Sequence, residues 1–230
     1  PLGDGWESLM TRIWLVRHGQ ASFGAEDYDR LSETGRAQSE ALGAWFAARG
    51  VRFSRVIHGA LRRQRETWEG IAEGLGGDAP AAEVEPGWDE YDADAIRDAW
   101  LAAGGEAAPA GDKRAHFRIF RRALAAWQAG ELSPPEPFAA FEARAARALA
   151  AAAEGEGPVL AVSSGGTIGH VAAGLLGLEG SGAGEAMIRL NLQAKNTGFA
   201  RIVGAPGRLW LNSWNEAPHL EDGRGEVTYA

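Results

Sequence analysis

The sequence predicts an α/β fold, a three-layer α/β/α sandwich whose mostly parallel sheet has an antiparallel edge and carries a helical insertion. Two observations predict this class. Short apolar segments typical of buried strands alternate with longer amphipathic segments typical of helices, which is the order of parallel strands joined by crossover helices. The last two strand-like segments are joined across residues 204–207, as in a hairpin, and so add an antiparallel edge.

The first strand–helix unit occupies residues 12–50. Residues 12–16 run apolar, as in a short buried strand, and residues 21–30 form a polar loop. Thr34 is a candidate N-cap for the helix that follows, and Gly50 ends it. The predicted apolar face of this helix consists of Ala37, Ala41, Leu42, Trp45 and Ala48.

The second unit repeats the pattern. Residues 51–57 predict a second strand, and residues 61–75 predict the next helix, with His58-Gly59-Ala60 as the loop between them. Residues 84–91 then contain a short extended piece that ends in an acidic run.

The second half of the chain begins with a helical block and returns to strands. Residues 93–154 are rich in alanine and predict helices broken at glycines and prolines. Residues 158–163 predict a buried strand. The remaining predicted elements are helices at 167–176 and 184–194 and hairpin strands at 197–203 and 209–213.

We interpret residues 1–230 as a single domain, because no internal repeat or linker divides the chain. Its core would consist of residues of about 10–90 and 155–230. The helical block at about 91–154 would be an insertion over the sheet, and residues 1–9 an extension or a cloning remnant.

Composition excludes several function classes. The 230 residues carry 23 Lys and Arg against 31 Asp and Glu, a net charge of -8, which argues against nucleic acid or an anionic membrane as a partner. Cysteine is absent, which excludes Cys-based metal sites, and only five histidines occur, so we expect no His-rich metal cluster. No apolar stretch is long enough to span a membrane and the first residues do not resemble a signal peptide, so we expect a cytoplasmic location. The oligomeric state stays open.

Three loops with reactive or anion-binding residues follow strands that are predicted to be parallel. Ligands of open α/β sheets bind at the carboxyl ends of such strands. These loops cover residues 17–24, 58–67 and 163–170. In the first, Arg17 offers a planar fork of donors that suits phosphate, and His18 offers a nucleophile or a proton carrier. Convergence of the three loops therefore predicts an anion site.

The second and third loops give weaker signals. Arginines in the first turn of a helix oppose the helix dipole, so those at 62–65 indicate either a nearby anion or a solvated face paired with Glu66 and Glu69. In the third loop, two glycines precede a helix, and their backbone N–H groups can form an anion cradle. This loop matches neither a P-loop nor the nucleophile elbow of serine hydrolases.

Taken in order, these motifs resemble the histidine phosphatase superfamily, the phosphoglycerate-mutase-like proteins, over about the whole chain. The family's opening Arg-His-Gly-Glu/Gln is matched by residues 17–20, and its Leu-Ser/Thr-x-x-Gly-x-x-Gln by residues 31–38. Its Leu-x-Arg-Ala-x-Gln-Thr is similar to residues 61–67. Its acidic residue before the helical insertion best matches Glu90, with Asp89 as the alternative one position earlier.

The resemblance implies a phosphohydrolase that needs no metal and no organic cofactor and acts on a small phosphomonoester. His18 would attack phosphorus and form a phosphohistidine, and Glu90 would protonate the leaving oxygen and then activate water. The implied phosphate-binding residues are Arg17, Arg63, Ser164, Gly165 and Ser22.

The third loop departs from the family pattern. The family usually has Ser/Thr-His-Gly-Gly there, with the histidine on the phosphate, whereas this chain has Ser164. A hydroxyl donates a hydrogen bond but carries no positive charge. His58 offers a replacement cation, or else is a loop histidine bonded to backbone. Ala21 and Gly24 replace the usual Thr and Asn of the first loop, where Ser22 is a candidate oxygen ligand.

These departures leave three alternatives to a phosphatase. One is phosphoryl transfer of the phosphoglycerate mutase type. Another is a non-catalytic member of the family that binds a phosphorylated ligand or a protein. The third is a serine hydrolase that uses Ser164. The substrate itself is not indicated, although four arginines of the insertion share one helical face, which is either anion-binding or salt-bridged: Arg114, Arg118, Arg121 and Arg122.

Overall fold

A computed structural model describes residues 11–22, 29–77, 79–155, 157–221 and 226–229. The strands in these ranges are β1 (Thr11–Arg17), β2 (Arg55–His58), β3 (Ala82–Val84), β4 (Pro158–Ser163), β5 (Phe199–Ala205) and β6 (Arg208–Glu216). The helices are α1 (Glu33–Ala48), α2 (Arg62–Leu75), α3 (Ala93–Ala102), α4 (Lys113–Gln128), α5 (Phe138–Ala152), α6 (Gly165–Leu175), α7 (Gly180–Gln193) and α8 (Pro218–Glu221).

The described strands form one mixed sheet in the order β3-β2-β4-β1-β5-β6. The pairs β3–β2, β2–β4 and β4–β1 are parallel, whereas β1–β5 and β5–β6 are antiparallel. The predicted α/β class, with a mostly parallel sheet and an antiparallel edge, is confirmed.

Alternation along the buried strands produces the three layers. Ile13 and Leu15 of β1 belong to one core cluster, which includes side chains of α5 and α6. Val16 belongs to a second cluster, on the other face of the sheet, with side chains of α1 and α2. Because successive side chains of a strand point to opposite faces, the central strands are covered on both sides.

Several predicted boundaries are wrong, among them the starts of the second strand and of helix α6. The second strand begins at Arg55 and not at 51, because the Val51 N–H turns back to the Phe46 carbonyl at the end of α1 (3.1 Å). Helix α6 begins at Gly165 and not at 167, since the extended backbone of Ser164 is already its N-cap. The first helical residue has no acceptor for its N–H within the helix, so Gly165 presents a donor at the end of β4.

The predicted cap of α1 is also wrong, and its predicted apolar face is right only in part: Leu42 is buried in the second core cluster and Trp45 packs against it. Ser32 caps the helix, its hydroxyl accepting from the Gly35 N–H at 3.0 Å, and Thr34 lies inside the helix. Ala37 and Ala48 are exposed. The buried face consists of Gly35, Gln38, Ser39, Leu42, Gly43 and Phe46. Small residues occupy this face because α1 lies close against α2.

Gly43 marks the closest approach of these two helices. A Cβ atom there would lie 2.1 Å from the Ile71 carbonyl oxygen, a backbone atom that cannot move aside alone. We expect Gly43→Ala to lower the free energy of unfolding by about 3 kcal/mol, as overpacked cores do. The control is Gly174→Ala in α6, where a Cβ meets nothing within 4 Å; it should stabilise the protein by about 0.5–1 kcal/mol. Chemical denaturation of both variants measures the difference, and equal stabilities would contradict this account.

A third core cluster joins helices α3, α4 and α5 to Met187 and Ile188 of α7. Asp92 caps α3 and Asp112 caps α4, and the helices pack around the buried Trp127. Helix α5 contributes Ala148 and Ala152 to the cluster against the sheet. Two of the four arginines on the α4 face are salt-bridged: Arg121 to Glu185 at 2.9 Å, and Arg122 to Glu106.

None of the helices in the described ranges combines the length and the apolar character that crossing a lipid bilayer requires.

Candidate active site

Strand register brings the three predicted loops together. In the parallel pair β1–β4, Arg17 lies opposite Ser163, and in the pair β2–β4, His58 lies opposite Val162. The His18 N–H continues the ladder by donating to the Ser163 carbonyl at 2.9 Å. His18 and Ser164 therefore follow neighbouring strands at one edge of the sheet.

The hydrogen bonds of His18 fix one neutral tautomer. Its Nδ1 lies 2.8 Å from the Gly19 carbonyl oxygen, which only accepts, so Nδ1 carries the proton. Its Nε2 accepts from Arg63 Nε at 3.2 Å, and that nitrogen only donates. The Nε2 lone pair is therefore available as a nucleophile once the Arg63 contact is released.

The surroundings of His18 keep its ring neutral. Burial lowers the pKa of His18 well below its usual value of 6.5, and the nearby positive charges of Arg63 and Arg17 lower it further. The hydrogen bond to Gly19 opposes these effects only in part. An imidazole that stays neutral below pH 6.5 keeps its nucleophilic lone pair in mildly acidic solution.

Arg63 is held by Asp29, a residue that the sequence did not indicate. Asp29 Oδ1 lies 2.5 Å from Arg63 Nη1, and its Oδ2 accepts from the Arg62 N–H at 2.8 Å. The same carboxylate thus pairs with Arg63 and supplies an anion at the start of α2. The neighbouring Arg62 pairs with Glu66, and the exposed Arg65 with Glu69.

Arg17 is the last residue of β1, and its side chain lies beside the start of α6. Its side chain is buried, and Nη1 donates to the Ala194 carbonyl. A Cβ on Gly165 would meet Arg17 Nε at 3.4 Å and Asn191 Oδ1 at 2.2 Å. Glycine at 165 is therefore what allows Arg17 and Asn191 to lie against the first turn of α6.

The Glu90 carboxylate binds Gly166, the second residue of α6. Its Oε2 accepts from the Gly166 N–H at 2.8 Å, and its Oε1 from the Tyr91 N–H at 3.2 Å. Burial raises the pKa of Glu90 above its usual value of 4.5, even though the charges of Arg63 and Arg17 act in the opposite direction. A carboxyl group with a raised pKa retains its proton at higher pH than an exposed one and suits a general acid.

Asp89 has a different environment. Its carboxylate accepts from the Ala60 N–H at 2.6 Å and so binds the loop that precedes α2. Its backbone carbonyl accepts from the Thr167 hydroxyl at 2.8 Å. The structure thus separates the two acidic candidates, Asp89 beside the start of α2 and Glu90 beside the start of α6.

Ser164 is fully buried, and its hydroxyl oxygen accepts from Gln64 Nε2 at 3.0 Å. Neither of the two other candidates is joined to this cluster by a side-chain hydrogen bond within the described residues. The Ser22 N–H donates to the Arg30 carbonyl at 2.8 Å. His58 Nδ1 lies 2.6 Å from the Gly59 carbonyl oxygen, a contact to backbone.

Several residues that hold the loop carrying His18 were not indicated by the sequence. Thr67 accepts from the Gly19 N–H at 2.9 Å, and Asn196 Nδ2 donates to the His18 carbonyl at 3.1 Å. Thr67 and Gln64 lie inside the matched motif at 61–67, which is the signal that could have found them. Asn196 has no comparable signal, because only the fold brings it beside β1.

Thr228 supports this loop from behind. Its hydroxyl donates to Asn196 Oδ1 at 2.9 Å and accepts from Gln38 Nε2 at 2.8 Å. Gln38 in turn accepts from the Gln20 N–H at 3.0 Å. The Thr228 hydroxyl therefore links Asn196, which binds the His18 carbonyl, to Gln38, which binds the Gln20 N–H.

We expect Thr228→Val to lower the free energy of unfolding by about 1–2 kcal/mol and the turnover number about 3–10-fold, because two partly buried hydrogen bonds are lost. Thermal unfolding and initial hydrolysis rates measure these effects. Tyr229→Phe is the control, since that side chain is 50% exposed. Equal behaviour of the two variants would show that Thr228 does not support the loop.

Comparison with known proteins identifies the family. The sequence model of the histidine phosphatase superfamily (branch 1) matches residues 13–217. The mitochondrial serine/threonine-protein phosphatase PGAM5 of Rattus norvegicus is 35% identical over 77 residues, which are 32% of this chain and 27% of that protein. The chain thus matches about a quarter of the length of this curated relative.

Solved structures show the same fold. A phosphoglycerate mutase from Bacillus anthracis superposes with a TM-score of 0.62 at 18% identity, covering 94% of this chain and 98% of its own. A phosphoserine phosphatase from Entamoeba histolytica, in complex with phosphoserine, gives 0.62 at 19% identity, covering 91% and 99%. The alpha-ribazole phosphatase of Shigella flexneri gives 0.61 at 19% identity, covering 90% and 96%.

The match of the family model over most of the chain agrees with the geometry at the carboxyl ends of β1, β2 and β4. The ordered motifs that suggested this resemblance lie inside the matched residues. This chain belongs to the histidine phosphatase superfamily, branch 1.

Proposed function

We propose that this protein is a metal-independent phosphatase that hydrolyses a small phosphomonoester through a phosphohistidine on His18. The observation that carries the proposal is the fixed tautomer of His18, with Nδ1–H on the Gly19 carbonyl and the Nε2 lone pair facing Arg63. The phosphatases to which this chain is similar support hydrolysis of a phosphate ester as the reaction class.

In the first step, the phosphate group of the substrate takes the place of Nε2 as the partner of Arg63. Arg63 and Arg17 bind its oxygens, and the Gly165 N–H adds a neutral donor at the start of α6. His18 Nε2 attacks phosphorus as the bond between phosphorus and the ester oxygen breaks. Glu90, whose pKa is raised by burial, acts in its protonated form and donates a proton to the leaving oxygen.

In the second step, water attacks the phosphohistidine. Glu90 is now a carboxylate and accepts a proton from that water, while the bond between phosphorus and Nε2 breaks. Inorganic phosphate leaves, and both His18 and Glu90 return to their initial protonation states. The two arginines stabilise the negative charge on the phosphoryl oxygens in both transition states.

A small substrate is supported by the relatives and by the burial of the site. The Entamoeba histolytica phosphatase was solved with phosphoserine and with 3-phosphoglyceric acid. In this chain His18 is 5% exposed and the Arg63 side chain 11%. The two guanidinium groups beside the neutral His18 favour binding of a compact dianion. The net charge of -8 does not prevent this, because distant surface charges are screened.

The test is rapid-quench labelling of the wild-type protein with an aryl phosphate in the presence of EDTA. We expect a phosphoenzyme that is labile in acid and stable in base, together with release of inorganic phosphate. The metal-independent mechanism would be refuted if EDTA abolished turnover. Binding of phosphate or vanadate without labelling would instead support the non-catalytic alternative.

A further inference from the structure

The pair formed by Gln64 and Ser164 has no role in the mechanism so far. Both side chains are fully buried, and they connect the first turn of α2 to the N-cap of α6. Gln64 stands where the family pattern has alanine, and Ser164 stands where it has histidine. The longer side chain of Gln64 therefore contacts the shorter side chain of Ser164.

The orientation of the Gln64 amide is fixed by its neighbours. Nε2 lies 3.0 Å from the Trp88 carbonyl oxygen, and Oε1 lies 3.3 Å from the Leu61 N–H. A flipped amide would place two oxygens against each other at Trp88 and two N–H groups against each other at Leu61. Nε2 therefore points its second hydrogen at the Ser164 hydroxyl oxygen.

This geometry determines what the Ser164 hydroxyl does. Its oxygen faces an N–H group and accepts from it, so its own hydrogen points elsewhere. Among the residues that the structure describes, no acceptor lies within hydrogen-bond distance of that hydrogen. Ser164 follows β4, and His18 follows the neighbouring strand β1. In the proposed function, the phosphoryl group enters here once Arg63 releases Nε2 of His18.

We propose that Gln64 is a positioning residue that holds the Ser164 hydroxyl as a dedicated hydrogen-bond donor to the phosphoryl group. The pair would thereby replace the donor function of the missing histidine without its charge. The proposal rests on the phosphatase function proposed above and adds one more contact to the transferred group.

A double-mutant cycle of Gln64→Met and Ser164→Ala tests this. Loss of one donor to the developing charge should lower kcat/KM on the order of 10²-fold in Ser164→Ala. Methionine keeps the length of glutamine without its hydrogen bonds, so Gln64→Met should lower kcat/KM about tenfold. Because Gln64 acts through Ser164, the double variant should match Ser164→Ala alone. Additive losses would overturn the proposal.

A second readout separates positioning from folding damage. The inhibition constant of vanadate, which mimics the five-coordinate phosphoryl group, should rise in parallel with the loss of kcat/KM in both single variants. Ser163→Ala is the matched control, because its buried hydroxyl donates to the same Trp88 carbonyl at 2.6 Å. It should lower stability and leave vanadate inhibition within about twofold. Equal vanadate effects in Ser163→Ala and Ser164→Ala would also overturn the proposal.

Wild-type behaviour distinguishes this inference from the function on which it rests. If the wild-type protein turns over and is labelled but the losses in the cycle are additive, only the proposed role of Gln64 is refuted. If the wild type shows no turnover, the same cycle is measured on the dissociation constant of vanadate by calorimetry, where coupling would still support the Ser164 donor. Absence of any vanadate binding would refute both proposals.

Discussion

Replacing His18 with asparagine is expected to abolish phosphoenzyme formation and to lower kcat/KM on the order of 10⁴-fold or more. Asparagine retains a donor for the Gly19 carbonyl but has no lone-pair nitrogen that can attack phosphorus. Arg63 and Arg17 remain in the variant, so binding of inorganic phosphate should persist. Rapid-quench labelling, steady-state hydrolysis and calorimetry measure the three quantities separately.

His58 provides a matched control for this variant. It also follows a parallel strand, is 5% exposed like His18, and likewise has Nδ1 on the carbonyl of the next residue. His58→Asn should therefore cause the same kind of local damage while labelling continues. Labelling that persists in His18→Asn and disappears in His58→Asn would move the nucleophile to His58 and refute the assignment.

The fold was predictable because its signals are local and repeated. Strand β4 was predicted with its observed bounds, since residues 158–163 are apolar and flanked by breakers. The face of α1 was not predictable, because small residues such as Gly43 and Ser39 are buried there by the closeness of α2. Hydrophobic periodicity does not report contacts between backbones.

The candidate site was predictable where its residues lie in ordered motifs. Arg17, His18 and Arg63 were found in this way, and the structure places them together. Asp29 and Asn196 were missed, because their roles depend on contacts between segments far apart in the chain. Gln64 and Ser164 lie 100 residues apart in the chain, and only the structure shows that their side chains are hydrogen-bonded.

Glu90→Gln is expected to lower kcat on the order of 10²–10⁴-fold for an alkyl phosphate, because the leaving alkoxide then departs without a proton. The loss should be much smaller for an aryl phosphate with a nitro group, whose phenolate leaves readily. Glutamine can keep an oxygen for the Gly166 N–H but then loses the acceptor for the Tyr91 N–H, so thermal unfolding of the variant is measured beside its activity. Equal losses for both substrates would show that Glu90 is not the general acid.

Asp89→Asn is the control, since the Asp89 carboxylate binds the Ala60 N–H, whereas the Glu90 carboxylate binds the Gly166 N–H in α6. It should affect both substrates alike, through the position of α2. If Asp89→Asn instead shows the leaving-group dependence and Glu90→Gln does not, the acid is one position earlier in the chain.

The pH dependence gives an independent test of the same assignment. Activity requires neutral His18, whose pKa is lowered by burial, and protonated Glu90, whose pKa is raised by burial. Activity should therefore rise as pH increases through the pKa of His18, below 6.5, and fall as pH increases through the pKa of Glu90, above 4.5. In Glu90→Gln the fall at higher pH should disappear, while the rise at lower pH remains, because the group that titrates there is still His18. A profile of log kcat/KM against pH for the alkyl phosphate decides this, because kcat/KM reports the ionisations of the free enzyme. An unchanged alkaline limb in the variant would assign that limb to another group.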